Sequence, residues 1–478
     1  MTEAVPVIAV VGRTNEGKTS VVAALTENDR LAIADAPGTT TRSERIDCRS
    51  AGEALFALYD TPGFEDAEGV LEWLQAQAAH AADHASAVAA FLETHAGGAS
   101  FAEECELLGP VVREEAGIIY VVDGSHPFSP DFEAEMEVLR WTGRPRMALI
   151  NPKAGTEHVQ DWQAALDQYF GIVRIFDAHD APWSARRELL TAFRELQTTT
   201  TGRERIDRAV AVLDRQDAER ALTAVRAMTG LLVDGLTRSC EVAYDGRAPE
   251  EEELRQRLCS ELEGVWRTHQ RRIEDLYQHR IQDRDGGDLQ AAPFAAGLFS
   301  TRTWELFGLS RTSLALVGAA VGGSAGAPIG GIIDLHTGGA TFLAGTVLGS
   351  VIGGGAGAIG ALFAGRGLGA ARVLGQRLGR DIARCGPITN PRFAWILLDL
   401  AILHHRAVRL RSHARRDPFV LPPVEGKRGI AERLPGSLRR SMERQFARLR
   451  KQHEAPPQEE RQSLQDLVQR AVTAAHPG

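Results

Sequence analysis

The sequence predicts an α/β domain, a mostly parallel sheet flanked by helices, followed by an all-α region that contains a glycine-rich apolar helical hairpin. Three observations carry this expectation. The apolar run Val7–Val11 is followed at once by Gly12-Arg13-Thr14-Asn15-Glu16-Gly17-Lys18-Thr19 and then by the helix-forming residues 20–25, so strand, glycine loop and helix stand in order. Further apolar runs at residues 55–59, 117–122 and 147–150 alternate with helical patterns, as buried parallel strands do. Residues 313–364 form two charge-free arms around a polar turn, with glycine recurring at every fourth position.

At 478 residues the chain is too long for one hydrophobic core. We divide it into a nucleotide-type domain (1–200), a helical region (201–311), the glycine-rich hairpin (312–365) and a basic helical region (366–478). The net charge of −9 hides an asymmetry: residues 366–454 carry 20 Lys/Arg against 7 Asp/Glu. Such a region suits anionic lipid or RNA, and solvated arginine-rich helices are the plain alternative. The five cysteines are far apart and show neither zinc-ligand spacing nor a disulfide framework, which fits a reduced, cytoplasmic setting. Acidic Glu3 and the immediate first strand leave no room for a cleavable signal peptide.

In the glycine loop, Gly12 and Gly17 let the backbone curl so that successive N–H groups face a β-phosphate, and the following helix N-terminus adds positive potential. The candidate phosphate-binding residues are Gly12, Asn15, Glu16, Gly17, Lys18, Thr19 and Ser20, with Lys18 reaching the β- and γ-phosphates. The Thr19 hydroxyl is placed to hold Mg²⁺. After the first helix, a Thr-rich loop at 39–41 leads toward a strand near Ile46, and Thr41 is the candidate γ-phosphate sensor and Mg²⁺ ligand. The next strand ends in Asp60-Thr61-Pro62-Gly63. Asp60 is the candidate for holding Mg²⁺ through water, and Gly63 N–H for contacting the γ-phosphate.

With these residues in hand, the chain resembles the Era-like and tRNA-modification-GTPase-like branch of the translation-factor P-loop GTPases. The resemblance implies GTP/GDP as ligand and Mg²⁺ as cofactor. It also implies K⁺, because in that branch an Asn at the place of Asn15 coordinates an ion that offsets negative charge in the transition state. Phe64 stands where many GTPases keep a water-positioning Gln, leaving Glu65, Glu68 and Glu72 as the nearby candidates. The strand at 147–150 ends in Asn151-Pro152-Lys153-Ala154 where the family carries Asn-Lys-x-Asp. Asn151 and Lys153 are the candidate base-binding residues. The Asp that would accept from guanine N1–H and its amine is replaced by Ala154, which opens guanine-versus-adenine specificity.

Between residues 70 and 113 the Ala-, Glu- and Leu-rich spacing predicts two helices inserted after the second switch. Leu254, Leu258, Leu262 and Trp266 predict a long amphipathic helix that packs on its neighbours. In the hairpin, residues 313–333 and 340–364 run 21 and 25 residues without a charge. Each is about 30 Å or more as a helix, enough to cross a bilayer core. Gly318, Gly322, Gly326 and Gly330, and Gly345, Gly349, Gly353 and Gly357, mark smooth faces for close helix packing. The alternative is a hairpin buried in the protein or at a homo-oligomer interface. Arginines beyond the second arm and none in the turn place the exit on the cytoplasmic side, so association with the inner membrane is the expectation.

Residues 390–405 read as an apolar helix interrupted by Asp399, too short to span a membrane. The whole layout resembles a bacterial GTPase family with a C-terminal domain of unknown function. The leading expectation is a slow GTPase acting as a membrane-associated regulatory switch. A degenerate or adenine-tolerant nucleotide-binding scaffold and an RNA-binding assembly GTPase are the alternatives.

Overall fold

The computed structural model describes residues 5–29, 31, 40–50, 52–78, 80–153, 155–197, 199–244, 251–279, 381–388, 390–415, 419, 433–452 and 455–475. The glycine-rich hairpin lies outside the described residues, as does Ala154. Two compact units are formed, residues 1–219 with 409–416 and residues 220–408 with 417–478.

The first unit is built on a six-stranded sheet in the order β2-β3-β1-β4-β5-β6. Its strands are β1 (Val7–Val11), β2 (Glu44–Ser50), β3 (Glu53–Asp60), β4 (Gly117–Asp123), β5 (Arg146–Asn151) and β6 (Val173–Ile175). Only β2 runs antiparallel, paired to β3 across a short turn. β1 is central, with Val10 registered between Asp60 and Ile119. Its residues from Ile8 to Val11, like all of β4, are buried because helices cover both faces, which is why these strands read as unbroken apolar runs. The parallel strands β1, β3, β4 and β5 deliver Gly12, Thr61, Gly124 and Pro152 from their carboxyl ends, the edge where open α/β sheets bind ligands.

The covering helices are α1 (Lys18–Thr26), α2 (Ala67–Gln77), α3 (His84–His95), α4 (Ala102–Arg113), α5 (Phe132–Trp141), α6 (Val159–Leu166) and α7 (Trp183–Glu195). Three helices, not the expected two, fill residues 67–113. The chain leaves helical geometry at Ala78, and Gly97 takes φ +76°, separating what the Ala-rich composition joins. Residues 409–416 also belong to this unit, where Ser412 Oγ donates to the Ala178 carbonyl at 2.5 Å.

The long helix α8 (Thr200–Thr237) leads into the second unit. There, β7 (Cys240–Tyr244) pairs antiparallel with β8 (Asp381–Cys385), Cys240 facing Cys385. This corrects the all-α expectation: the partner strands are distant in sequence, and the inward set Cys240, Val242 and Tyr244 is too short to announce a sheet. The remaining described helices are α9 (Glu251–Leu276), α10 (Pro391–Leu410), α11 (Gly436–Leu449) and α12 (Gln458–Ala475). Leu254, Leu258, Leu262 and Trp266 are buried in one core with Leu397, Leu400, Met442, Phe446 and Val468, as their spacing predicts.

Polar groups are also buried in the second unit. His404 Nε2 lies 3.2 Å from Glu274 Oε1, and Tyr277 OH shares a 2.9 Å hydrogen bond with His405 Nε2. His269 stacks on Trp266 at 5.7 Å, and burial drives its pKa down to about 3, with His404 and His405 adding to the shift. Among the described residues, no helix is long and apolar enough to cross a membrane.

Candidate functional site

The glycine loop is shaped by contacts that admit little else. Gly12 sits at φ +143°, and a Cβ there would stand 2.3 Å from the carbonyl oxygen of Val121 on β4. Gly17, left-handed at φ +96°, ends the loop at the N-terminus of α1. Lys18 is buried and its ammonium donates to the Arg13 carbonyl at 2.7 Å, which folds the side chain back over the loop. Burial lowers its pKa to about 8, with Asp60 and Glu16 opposing the shift. Ser20 is buried in the first turn of the helix, and Asn15 is exposed at the loop crest with φ +67°.

Beside the loop, the Thr19 hydroxyl donates to Asp60 Oδ2 at 2.8 Å, joining α1 to the end of β3. Among the described residues, Asp60 Oδ1 is buried with no hydrogen-bond partner, and burial pushes the carboxyl upward. A hydroxyl and a buried carboxylate oxygen lacking a partner are the donors a hard divalent cation takes, so Thr19 and Asp60 fit Mg²⁺. Thr40, not Thr41, turns toward this point: its hydroxyl lies 3.5 Å from Asp60 Oδ2, and Thr41 is exposed.

The segment after Asp60 packs directly on the loop. Thr61 Oγ1 donates to the Val10 carbonyl at 2.7 Å, and Phe64 N–H donates to the Gly12 carbonyl at 3.4 Å. Gly63 approaches so closely that a Cβ would be 2.4 Å from the Thr14 amide nitrogen. Phe64 is buried in the core with Val70 and Leu74, whereas Glu65, Glu68 and Glu72 are exposed.

Asn151 ties the end of β5 to the loop. Its Nδ2 donates to the Glu16 carbonyl at 3.2 Å, and its Oδ1 accepts from Ala178 N–H at 3.3 Å. Lys153 donates to the Asn15 carbonyl and lies 3.5 Å from Asp123 Oδ2. The lysine displaced by Pro152 thus still reaches the glycine loop from two residues beyond Asn151. Glu16 turns its carboxyl to the Asp123 amide; burial raises its pKa to about 7, that hydrogen bond opposing the shift.

Two buried acids behind the site escape the sequence reading. Glu135 pairs with Arg13, whose guanidinium lies 3.8 Å over the Phe132 ring, and accepts from Tyr120 OH at 2.9 Å. Burial raises the Glu135 pKa to about 7 against the pull of Arg13. Glu104 on α4 accepts from the N–H groups of Glu65 and Asp66 at 2.9 and 2.7 Å. Each acid falls on its helix's apolar face, Glu135 with Phe132, Met136 and Leu139, and Glu104 with Leu107, Leu108 and Val111, a placement that marks an acid for internal work.

Comparison with known proteins finds matches over both parts of the chain. Residues 7–151 match the family model described as 50S ribosome-binding GTPase, and residues 163–471 match the one described as Domain of unknown function (DUF3482). GTPase Der of Paraburkholderia phymatum and that of Burkholderia ambifaria are each 28% identical over 155 residues, 32% of this chain. The chain spans only 28% of the length of these curated relatives. A variant of Aquifex aeolicus Era bound to GDP and aluminium fluoride aligns over 57% of this chain and 90% of its own, at 14% identity and a TM-score of 0.28. The first unit carries a P-loop GTPase domain, and a helical region follows it.

Proposed function

We propose that this chain, which belongs to the DUF3482 family, is a guanine-nucleotide switch: it binds GTP or GDP with Mg²⁺ at the glycine loop and hydrolyses GTP slowly. The observation that carries this reading is the meeting of Thr19 and Asp60 at the mouth of the loop, with one Asp60 oxygen left without a partner among the described residues. Gly12 and Gly17 shape the loop whose amides face the phosphates, and Lys18 swings from the Arg13 carbonyl to the β- and γ-phosphates. Ser20 closes the same helix end. Bound Mg²⁺ supplies positive charge to the phosphate oxygens, and Thr19, Asp60 and a switch threonine, Thr40 or Thr41, would hold it. Gly63, seated on Thr14, offers its N–H where a γ-phosphate arrives.

Slow hydrolysis follows from Phe64: its ring is buried, so the position that orients water in many GTPases has no polar atom. The exposed Asn15 supports the K⁺ reading, in which its amide helps hold the ion. Hydrolysis that rises on replacing Na⁺ by K⁺ and loses that response in Asn15→Ala supports it; equal rates in both salts reject it. For the base, Asn151 and Lys153 position the pocket through the loop carbonyls, and Ala154 removes the usual guanine acceptor. Displacement of labelled GDP by unlabelled GTP but not by ATP is the expected outcome. Equal displacement by ATP overturns guanine specificity in favour of an adenine-tolerant scaffold.

The glycine-rich segment 313–364 supports membrane association as the output of the switch, with two charge-free arms and a positive exit. Full-length protein should sediment with membranes through a carbonate wash, and deletion of 313–364 should release it. A wild type that stays in the supernatant rejects this part and leaves the nucleotide reading intact.

A further inference from the structure

Helix α4 grips both segments that flank the phosphate site, from two different sides. Glu104 is 2% exposed, and its Oε1 receives the N–H groups of Glu65 and Asp66, the two residues that lead from Gly63 and Phe64 into α2. Glu106 receives the Ser43 N–H on Oε2 at 3.1 Å, and its carbonyl receives the Ser43 hydroxyl at 2.6 Å. Ser43 follows Thr40-Thr41-Arg42 and stands immediately before β2. Just beyond the helix, Glu114 takes Arg45 and the Tyr59 hydroxyl. Leu107, Leu108 and Val111, on the same buried face of α4 as Glu104, fix the helix in the core that also holds Val88 and Phe91 of α3.

We propose that the α3–α4 insertion is the element that reads the nucleotide state and passes it on. This rests on the nucleotide reading given above. A γ-phosphate that draws in Gly63 and the 40–41 loop pulls on the amides at 65–66 and on Ser43. A buried carboxylate does not give up two N–H donors cheaply, because nothing else in its apolar surroundings replaces them. Glu104 therefore follows the amides, and α4 moves as a unit with α3 because the two share one packed core. Glu106 adds the second attachment, so the insertion responds fully only when both segments are in place. Glu104 is a positioning residue in this scheme: it acts on the phosphate site through the backbone of residues 65 and 66.

Hydrogen–deuterium exchange on the full chain, loaded with GDP or with a non-hydrolysable GTP analogue, tests this. The expected result is a severalfold difference in exchange between the two states over residues 84–113, together with one over 60–66. Glu104→Ala should erase the difference over 84–113, keep it over 60–63, and leave nucleotide affinity within a few fold. Glu104→Gln, which keeps the acceptor oxygen, should retain part of it. Should Glu104→Ala not fold, the exposed pair Ser43→Ala with Glu106→Ala should reduce the same difference. Flat exchange over 84–113 in a wild type that differs over 60–66 overturns the inference and leaves nucleotide binding standing, as does a difference untouched by every variant. A wild type that binds neither nucleotide overturns the underlying reading and the inference with it.

Discussion

Lys18 shows how a single side chain sets the working range of the site. Burial brings its pKa down to about 8, and a bound polyphosphate raises it again by pairing with the charge. The protonated form is the one that binds, so nucleotide affinity should be flat with respect to Lys18 below pH 8 and fall as pH rises above it. Titration of labelled GDP between pH 7 and 10 checks this, and Lys18→Met should remove that part of the decline while weakening binding about 10- to 100-fold, the loss of a charge-assisted contact. Asp60→Asn should likewise weaken the dependence of affinity on Mg²⁺. Residues of this kind are legible in a sequence because the chemistry accepts so few types: glycine at a crowded left-handed turn, lysine for phosphate, a carboxylate for the cation. Glu104 and Glu135 are harder, since an acid in a helix usually faces water. Their registration with Leu107 and Leu108, and with Phe132 and Met136, is the trace they leave in the sequence.

At the level of the element, the segment 61–66 is held against the glycine loop by backbone rather than by long side chains. Gly63→Ala places a methyl 2.4 Å from the Thr14 amide, so the segment must lift away. GTP hydrolysis should fall, and the first unit should lose about 1–3 kcal/mol in chemical denaturation, the usual cost of forced overpacking. In the second unit, Trp266→Ala should cost about 3–5 kcal/mol, because the ring is buried at the middle of the α9 face. Helix α9 was readable from the spacing of its apolar residues, and α10 from its apolar run. β7 and β8 were not, since a five-residue strand carries little pattern and its partner lies far along the chain. The division of residues 67–113 into three helices was blurred for the opposite reason: alanine and glutamate continue through the breaks.

For the molecule as a whole, the two units carry different sensitivities to acid. His269 has a folded pKa well below its unfolded value, so the unfolded chain takes up the proton first. Stability contributed by neutral His269 is complete above about pH 6.5 and is lost as pH falls toward about 3, at roughly 1.4 kcal/mol per pH unit for one proton. Glu16 and Glu135 act in the other sense: each has a folded pKa raised to about 7, so the first unit should gain stability as pH drops from 7 toward the ordinary carboxylate range. Unfolding followed by a tryptophan signal in each unit, at pH 7 and pH 5, should show the second unit weakening relative to the first, and His269→Phe should reduce the change in the second. A final consequence lies in the pairing of Cys240 with Cys385. Closing a long loop costs an entropy that grows only with the logarithm of its length, so doubling the intervening chain adds only about 0.6 kcal/mol. The chain between those two strands can therefore lengthen or shorten at little entropic cost to the small sheet that brackets it, so long as the buried face of α9 within it is kept.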